Sequence, residues 1–388
     1  MSDGIVRSIC GIDGVQCNGI KEGKYGLALI QAEGNAAAVF TKNVAQAAPI
    51  ILMKERMERG FLEATIINSG CANALTGKRG ERDAGIMGEI AAEHLSCNPD
   101  AIGVASTGVI GRYIDLSIIQ RQCSDIAPYM DSSQKTEDAT AAAIMTTDTF
   151  QKHALVTRED FSIGGICKGS GMIAPNMGTM LGFLYTDADI PAHDIKSSLK
   201  NAVSKSFNRV VVDGDTSTND VTFLTATGSA GKVDGNDFSQ ALLECCTILA
   251  KQIAQDGEGA SRMIEVTVKN AKTESDAEII AKTIIGSPLV KTAIYGQDPN
   301  WGRIIAAAGR AGVSFDPDTI SCWMGSGSLK APVCLEGEMT GDLSSAKRAM
   351  GEKIVVIELD LHEGSREATA WGCDLTEGYV IINGRYTT

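Results

Sequence analysis

Hydrophobic and polar positions alternate over short stretches near the start of the chain, which predicts strands over 25–31 and 36–41. Helical spacing follows over 81–95, 115–130 and 136–145, with strand-like runs at 64–68 and 182–186. A helix is predicted over 194–207, with Pro191 just before it. Strands at 221–227 and 263–268 alternate with helices at 237–255 and 275–285, and a short helix is expected over 300–309. The end of the chain reads as strands at 354–361, 367–373 and 379–382. No repeat, low-complexity tract or Pro/Ser-rich linker divides the sequence, so an α+β architecture with layered sheets is the expected class.

Composition narrows the function. The 388 residues carry 35 Lys+Arg against 48 Asp+Glu, a net charge of −13, without the basic clusters that nucleic acid or an anionic membrane would recruit. The longest apolar runs are too short for a membrane span, and the opening MSDGIVRSICGIDG lacks the pattern of a signal peptide, so a cytoplasmic location is expected. The 11 cysteines are scattered without a CxxC pair, which favours reduced thiols over a disulfide scaffold or a zinc site. Only four histidines are present, so a catalytic base other than imidazole is expected.

Several Gly-rich segments attract attention. GSGSLK at 325–330 is only loosely like a phosphate loop and reads better as a turn. VVDGDTSTND at 211–220 concentrates carboxylates and hydroxyls, but its spacing departs from a calcium loop and favours a polar structural turn. In GQDPNWGRI, Asp298 is placed to cap a helix opening at Pro299, and Arg303 reads as structural. ASTGVIG at 105–111 follows an apolar strand; a Thr-Gly turn there presents a hydroxyl and an amide to a developing oxyanion, with an ordinary β-turn as the plain alternative.

The segment KGSGMIAPNMGTMLGF, 168–183, runs from a polar, Gly-rich start into a strand-like end. A Thr hydroxyl becomes a competent nucleophile when its own α-amine is free to act as base, with an ordinary pKa of ~7.7–8.0. Cutting the Gly178–Thr179 bond by attack of the hydroxyl on the Gly178 carbonyl, followed by hydrolysis of the ester, would create such a terminus. On its own the segment reads first as an ordinary loop before a strand, with the catalytic layout second.

Taken in order, NSGCAN, STGVIG, KGSGMIAPNMGTML, DGDTSTND, DPNWGR and the closing INGRYTT resemble the glutamate N-acetyltransferase (ornithine acetyltransferase) family of arginine biosynthesis over essentially the whole chain. The resemblance implies a layered α-β-β-α sandwich similar to the DmpA-type self-processing aminopeptidases and N-terminal nucleophile hydrolases. It implies self-cleavage between Gly178 and Thr179 into an α chain, 1–178, and a β chain, 179–388, that stay associated as an α2β2 heterotetramer. It places the nucleophile on Thr179, the oxyanion pair on Thr107 and Gly108, and substrate contacts on Thr147, Lys168, Thr179, Glu258, Asn383 and Thr388. The implied reaction is ping-pong transfer of acetyl from N2-acetyl-L-ornithine to L-glutamate, without metal or cofactor. Use of acetyl-CoA as an additional donor stays open, and an aminopeptidase or amidase with the same nucleophile is the alternative. The family usually has Ala where this chain has Gly178, which leaves the rate of cleavage open.

Overall fold

The computed structural model describes residues 7–173, 180–327, 329–340 and 343–385. They form two compact units, one from residues up to 208 with 215–249, the other from 209–214 with 250 onwards.

The first unit opens with β1 (Gln16–Glu22), β2 (Tyr25–Phe40), α1 (Ala48–Arg56), β3 (Phe61–Cys71), α2 (Gly77–Leu95) and β4 (Ile102–Val109). It continues through α3 (Leu116–Ile126), α4 (Gln134–Ile144), β5 (Lys152–Thr157), β6 (Ser162–Lys168), β7 (Leu181–Asp189) and α5 (Ala192–Lys205). The chain then makes the two-residue β8 (Val210–Val211) of the second unit and returns for β9 (Val221–Lys232). Among the described residues the sheet has eight strands, ordered β4-β3-β2-β9-β7-β6-β5, with β1 paired to β2. The sheet is mixed: β3 and β4 run parallel, as do β7 and β9, while the other neighbours are antiparallel. Its core draws on Leu27, Leu29, Ile66, Ile67, Val104, Phe183 and Phe223, all at most 1% exposed. Phe183 stacks on Phe223, and Phe40 meets Phe223 edge-on.

After α6 (Gly235–Gln255), the second unit is built from β10 (Met263–Ala271), α7 (Glu274–Ile285), α8 (Pro288–Tyr295), α9 (Trp301–Gly309) and β11 (Ser321–Ser326). It closes with β12 (Leu329–Leu335), β13 (Glu338–Met339), α10 (Ser344–Ala349), β14 (Ile354–Asp360), β15 (Arg366–Cys373) and α11 (Glu377–Arg385). Its strands are ordered β13-β12-β11-β14-β10-β15-β8 among the described residues. Ile264, Val266, Val268, Ile357 and Leu359 on the sheet are fully buried, as are Ile280 and Ile284 of α7, which packs on β10 and β15.

The α+β class is as expected. Three local expectations are corrected. The predicted strands 25–31 and 36–41 are one strand, β2, because the polar run Glu33-Gly34-Asn35 passes through as an irregularity in register rather than a turn. The cap of α9 is Asn300, whose side chain accepts the Arg303 N–H at 3.3 Å, not Asp298. The expected strand 379–382 is part of helix α11. Its β-branched run favours a strand locally, but Asn383 reaches back to the Tyr379 carbonyl at 3.1 Å and to Glu258, and Thr376 accepts the Gly378 N–H at 3.0 Å. Among the described residues no helix is long and apolar enough to cross a membrane.

Candidate active site

Thr107 and Gly108 lie in β4 itself rather than in a turn after it. The register pairs Ser69 with Thr107 and Gly70 with Gly108, then shifts so that Cys71 faces both Thr107 and Val109. This bulge coincides with a φ of +129° at Gly108. A Cβ there would lie 2.4 Å from the Gly70 carbonyl carbon and 2.6 Å from the Cys71 nitrogen, so only glycine fits.

Four strands separate β4 from β6 in the sheet, yet Lys168, the last residue of β6, donates to Thr107 Oγ1 at 3.4 Å. The curl of the sheet therefore brings its distant strands together at one side-chain contact. Lys168 is 3% exposed; its Nζ also donates to Thr146 Oγ1 at 2.8 Å and lies 3.9 Å from Asp148 Oδ2.

Asp148 organises the turn that follows α4. Its Oδ1 accepts from Lys152 Nζ at 2.8 Å and from the Gly169 N–H at 2.6 Å, and its Oδ2 accepts the Thr146 N–H at 3.1 Å. The Asp148 and Lys152 side chains are both fully buried. Burial by itself would raise the Asp148 carboxyl, but the Lys168 and Lys152 ammonium groups and the Gly169 amide overcome it and hold the group at about 2. Thr147 sits in the same turn, half-buried, with Thr146 rather than Thr147 accepting from Lys168.

Asp220, immediately before β9, is fully buried. Its Oδ1 accepts the Met180 N–H at 2.9 Å, and its Oδ2 has no hydrogen-bond partner among the described residues. Burial pushes the carboxyl well above its ordinary range, against the opposing pull of the Met180 amide and the Lys168 charge. The preceding Asn219 fixes this loop by donating to the Ala72 and Ser106 carbonyls at 2.6 and 2.9 Å, beyond the end of β3 and within β4.

In the second unit, Asn383 Nδ2 donates to Glu258 Oε2 at 2.8 Å. Thus the structure groups Thr107, Gly108, Thr147 and Lys168 in one unit and pairs Glu258 with Asn383 in the other. Gly178, Thr179 and Thr388 lie outside the described residues. Arg303 donates to the Leu289 carbonyl at 2.8 Å and to Thr292 Oγ1 at 3.3 Å, which is the structural role expected of it. Among the described residues no three His, Cys, Asp or Glu side chains cluster to hold a metal.

A sequence model of the ArgJ family matches residues 12–388. The chain belongs to the ArgJ family. The family resemblance drawn from the motifs is thereby met. This ArgJ-family chain is similar to the glutamate N-acetyltransferase of Methanosarcina mazei, at 48% identity over 392 residues and 99% of each chain. It is similar to the arginine biosynthesis bifunctional protein ArgJ of Archaeoglobus fulgidus, at 44% identity over 98% of this chain and 100% of that one. The crystal structure of the arginine biosynthesis bifunctional protein ArgJ from Bacillus halodurans is 42% identical. It covers 52% of this chain and 96% of its own, with a TM-score of 0.49.

Nothing local in the sequence singles out Asp148, Lys152 or Asp220. Asp148 stands in the polar stretch Thr146-Thr147-Asp148-Thr149, and its spacing to Lys152 looks like an exposed i,i+4 pair; only burial reveals that both are enclosed. Asp220 closes the VVDGDTSTND stretch, whose composition matches a polar structural turn.

Proposed function

We propose that this ArgJ-family chain is an acetyltransferase that moves the acetyl group of N2-acetyl-L-ornithine to L-glutamate through an acetyl-Thr179 intermediate. The contact of Lys168 with Thr107 carries this reading, because it sets a cation beside an oxyanion-type hydroxyl in a chain so similar to a named glutamate N-acetyltransferase.

The nucleophile is made by cleavage at Gly178–Thr179. Strands from both sides of that bond interlock: β7 pairs with β6, and β9 pairs with β2. An α fragment, 1–178, and a β fragment, 179–388, would therefore share one sheet and core and stay associated, assembling as α2β2 in the cytoplasm.

The free α-amine of Thr179 takes the proton from its hydroxyl. The oxygen attacks the acetyl carbonyl, while the Thr107 hydroxyl and the Gly108 amide stabilise the tetrahedral oxyanion. The C–N bond breaks, and ornithine leaves with the proton held by the amine. Glutamate then attacks the acetyl-Thr ester, returns its proton through the same amine and leaves as N-acetylglutamate. One amide replaces another, so the exchange is close to isoenergetic and no external energy source enters.

Lys168 pairs with the substrate α-carboxylate. Glu258 holds an ammonium group or passes a proton, with Asn383 fixing its carboxylate. Thr147 and Thr388 complete the substrate contacts.

The test is acetyl exchange with N2-acetyl-L-ornithine and glutamate, repeated with acetyl-CoA as donor. Transfer from acetylornithine supports the reading, and transfer from acetyl-CoA as well makes the enzyme bifunctional. Release of acetate regardless of glutamate would instead make the chain an amidase.

A further inference from the structure

Across the first sheet, β1 pairs Lys21 with Gly26, β2 pairs Gly26 with Ser69, and β3 pairs Ser69 with Thr107. Directly opposed residues in a ladder share a face, so these four make one row that ends at the oxyanion-type hydroxyl. The row is passable because Gly26 has no side chain. A Cβ there would lie 2.1 Å from the Ala143 carbonyl oxygen and 2.6 Å from Ser69 Oγ. Across this gap Lys21 Nζ donates to Ser69 Oγ at 2.7 Å and to the Met145 carbonyl at 2.5 Å.

Met145 adjoins Thr146, whose hydroxyl accepts from Lys168. Two ammonium groups therefore grip neighbouring residues of one turn. The carboxylate facing both is Asp148, which already accepts from Lys152 and the Gly169 amide. Lys21 forms no ion pair among the described residues, and two of its three N–H donors are used. Capping the carbonyl at the end of α4 accounts for one donor, not for a second cation so close to Lys168.

Resting on the acetyl-transfer reading above, we propose that Lys21 is a specificity residue that binds the side-chain carboxylate of an acidic α-amino acid acceptor. Lys168 takes the α-carboxylate common to donor and acceptor; Lys21 takes the second carboxylate, which ornithine lacks. Lys21 is exposed as a residue, but its ammonium sits against Ser69 and the Met145 carbonyl; the desolvation there and then the Lys168 charge lower it to about 8, with Asp148 opposing them. Lys21 can thus shed its proton beside the ammonium-bearing side chain of ornithine and keep it beside glutamate.

The experiment compares wild type, Lys21→Met and Lys21→Arg in the full-length, self-processed protein. In ping-pong kinetics kcat/KM for each substrate reports its own half-reaction. Glutamine serves as the uncharged counterpart of glutamate. Lys21→Met is expected to lower kcat/KM for glutamate roughly 10- to 100-fold and to erase the preference over glutamine. It should leave kcat/KM for N2-acetyl-L-ornithine within about threefold. Lys21→Arg is expected to restore the preference. In the wild type, the ratio of kcat/KM for glutamate to that for glutamine, in which the shared titration of the Thr179 amine cancels, should fall as pH rises through about 8, a dependence Lys21→Met should lack. Parallel loss for both substrates with an unchanged glutamate-to-glutamine ratio would overturn the proposal. A wild type that transfers acetyl to neither amino acid would overturn the acetyl-transfer reading and the Lys21 role with it.

Discussion

Asp220 accepts the backbone N–H of Met180 at 2.9 Å, and that nitrogen is the one bonded to the Thr179 carbonyl carbon. A fully buried carboxyl thus anchors the chain one peptide bond after the proposed nucleophile. Its second oxygen has no partner among the described residues, and burial favours its neutral form. The carboxyl is raised in the folded state and ordinary in the unfolded one. Its contribution to stability is therefore greatest below the ordinary carboxylate pKa and is lost as pH rises toward the folded value. Asp220→Asn keeps an acceptor for Met180 without the ionisation cost. The melting temperature of the variant minus that of the wild type is expected to increase from about pH 5 to about pH 8. A pH-independent difference would mean that Asp220 is ionised in the fold.

Asp148 behaves in the opposite sense. With Lys168 and Lys152 holding it at about 2, its stabilisation is present above the ordinary carboxylate range and is lost as pH falls toward 2. The shift from 3.8 corresponds to about 2 kcal/mol for this buried group. Asp148→Ala strands two buried lysines and is expected to cost about 3–5 kcal/mol in urea denaturation at neutral pH. Asp148→Ala should also lose transfer activity, since Thr146 and Lys168 would lose their common anchor. A stable, active variant would remove Asp148 from this role.

Thr107 and Gly108 are separable by substitution. Thr107→Ala should leave the fold intact and lower kcat by roughly 10²–10³, as removal of an oxyanion donor does, while Thr107→Ser recovers most of the loss. Gly108→Ala forces a side chain into positive φ at a cost of about 1–3 kcal/mol before its contact with Gly70 is counted. It should therefore appear first as a drop in melting temperature. An unchanged kcat for Thr107→Ala would take this residue out of the site.

What the sequence reveals depends on how local the cause is. Helices α2, α5 and α7 follow from spacing on one face, and the strands around Ile66, Phe183, Phe223 and Ile357 follow from short apolar runs. Thr107, Gly108 and Lys168 stand in recognisable motifs, but nothing local announces that residues 107 and 168 touch, because the contact depends on the curl of a whole sheet. Asp148 and Asp220 look like ordinary loop carboxylates until burial is known. The Tyr379–Ile382 run misleads because its strand propensity is overridden by Asn383 binding Glu258 and the Tyr379 carbonyl.

The central claim is that Thr179 becomes a new amino terminus and carries the acetyl group. Denaturing mass spectrometry of the purified protein, incubated with N2-acetyl-L-ornithine and no acceptor, tests it directly. The account predicts two polypeptides, the second beginning at Thr179 and heavier by one acetyl group that added glutamate removes; Thr179→Ala should remain one unmodified chain. A wild-type protein that transfers acetyl while remaining a single polypeptide, or a Thr179→Ala variant that still splits, would contradict it.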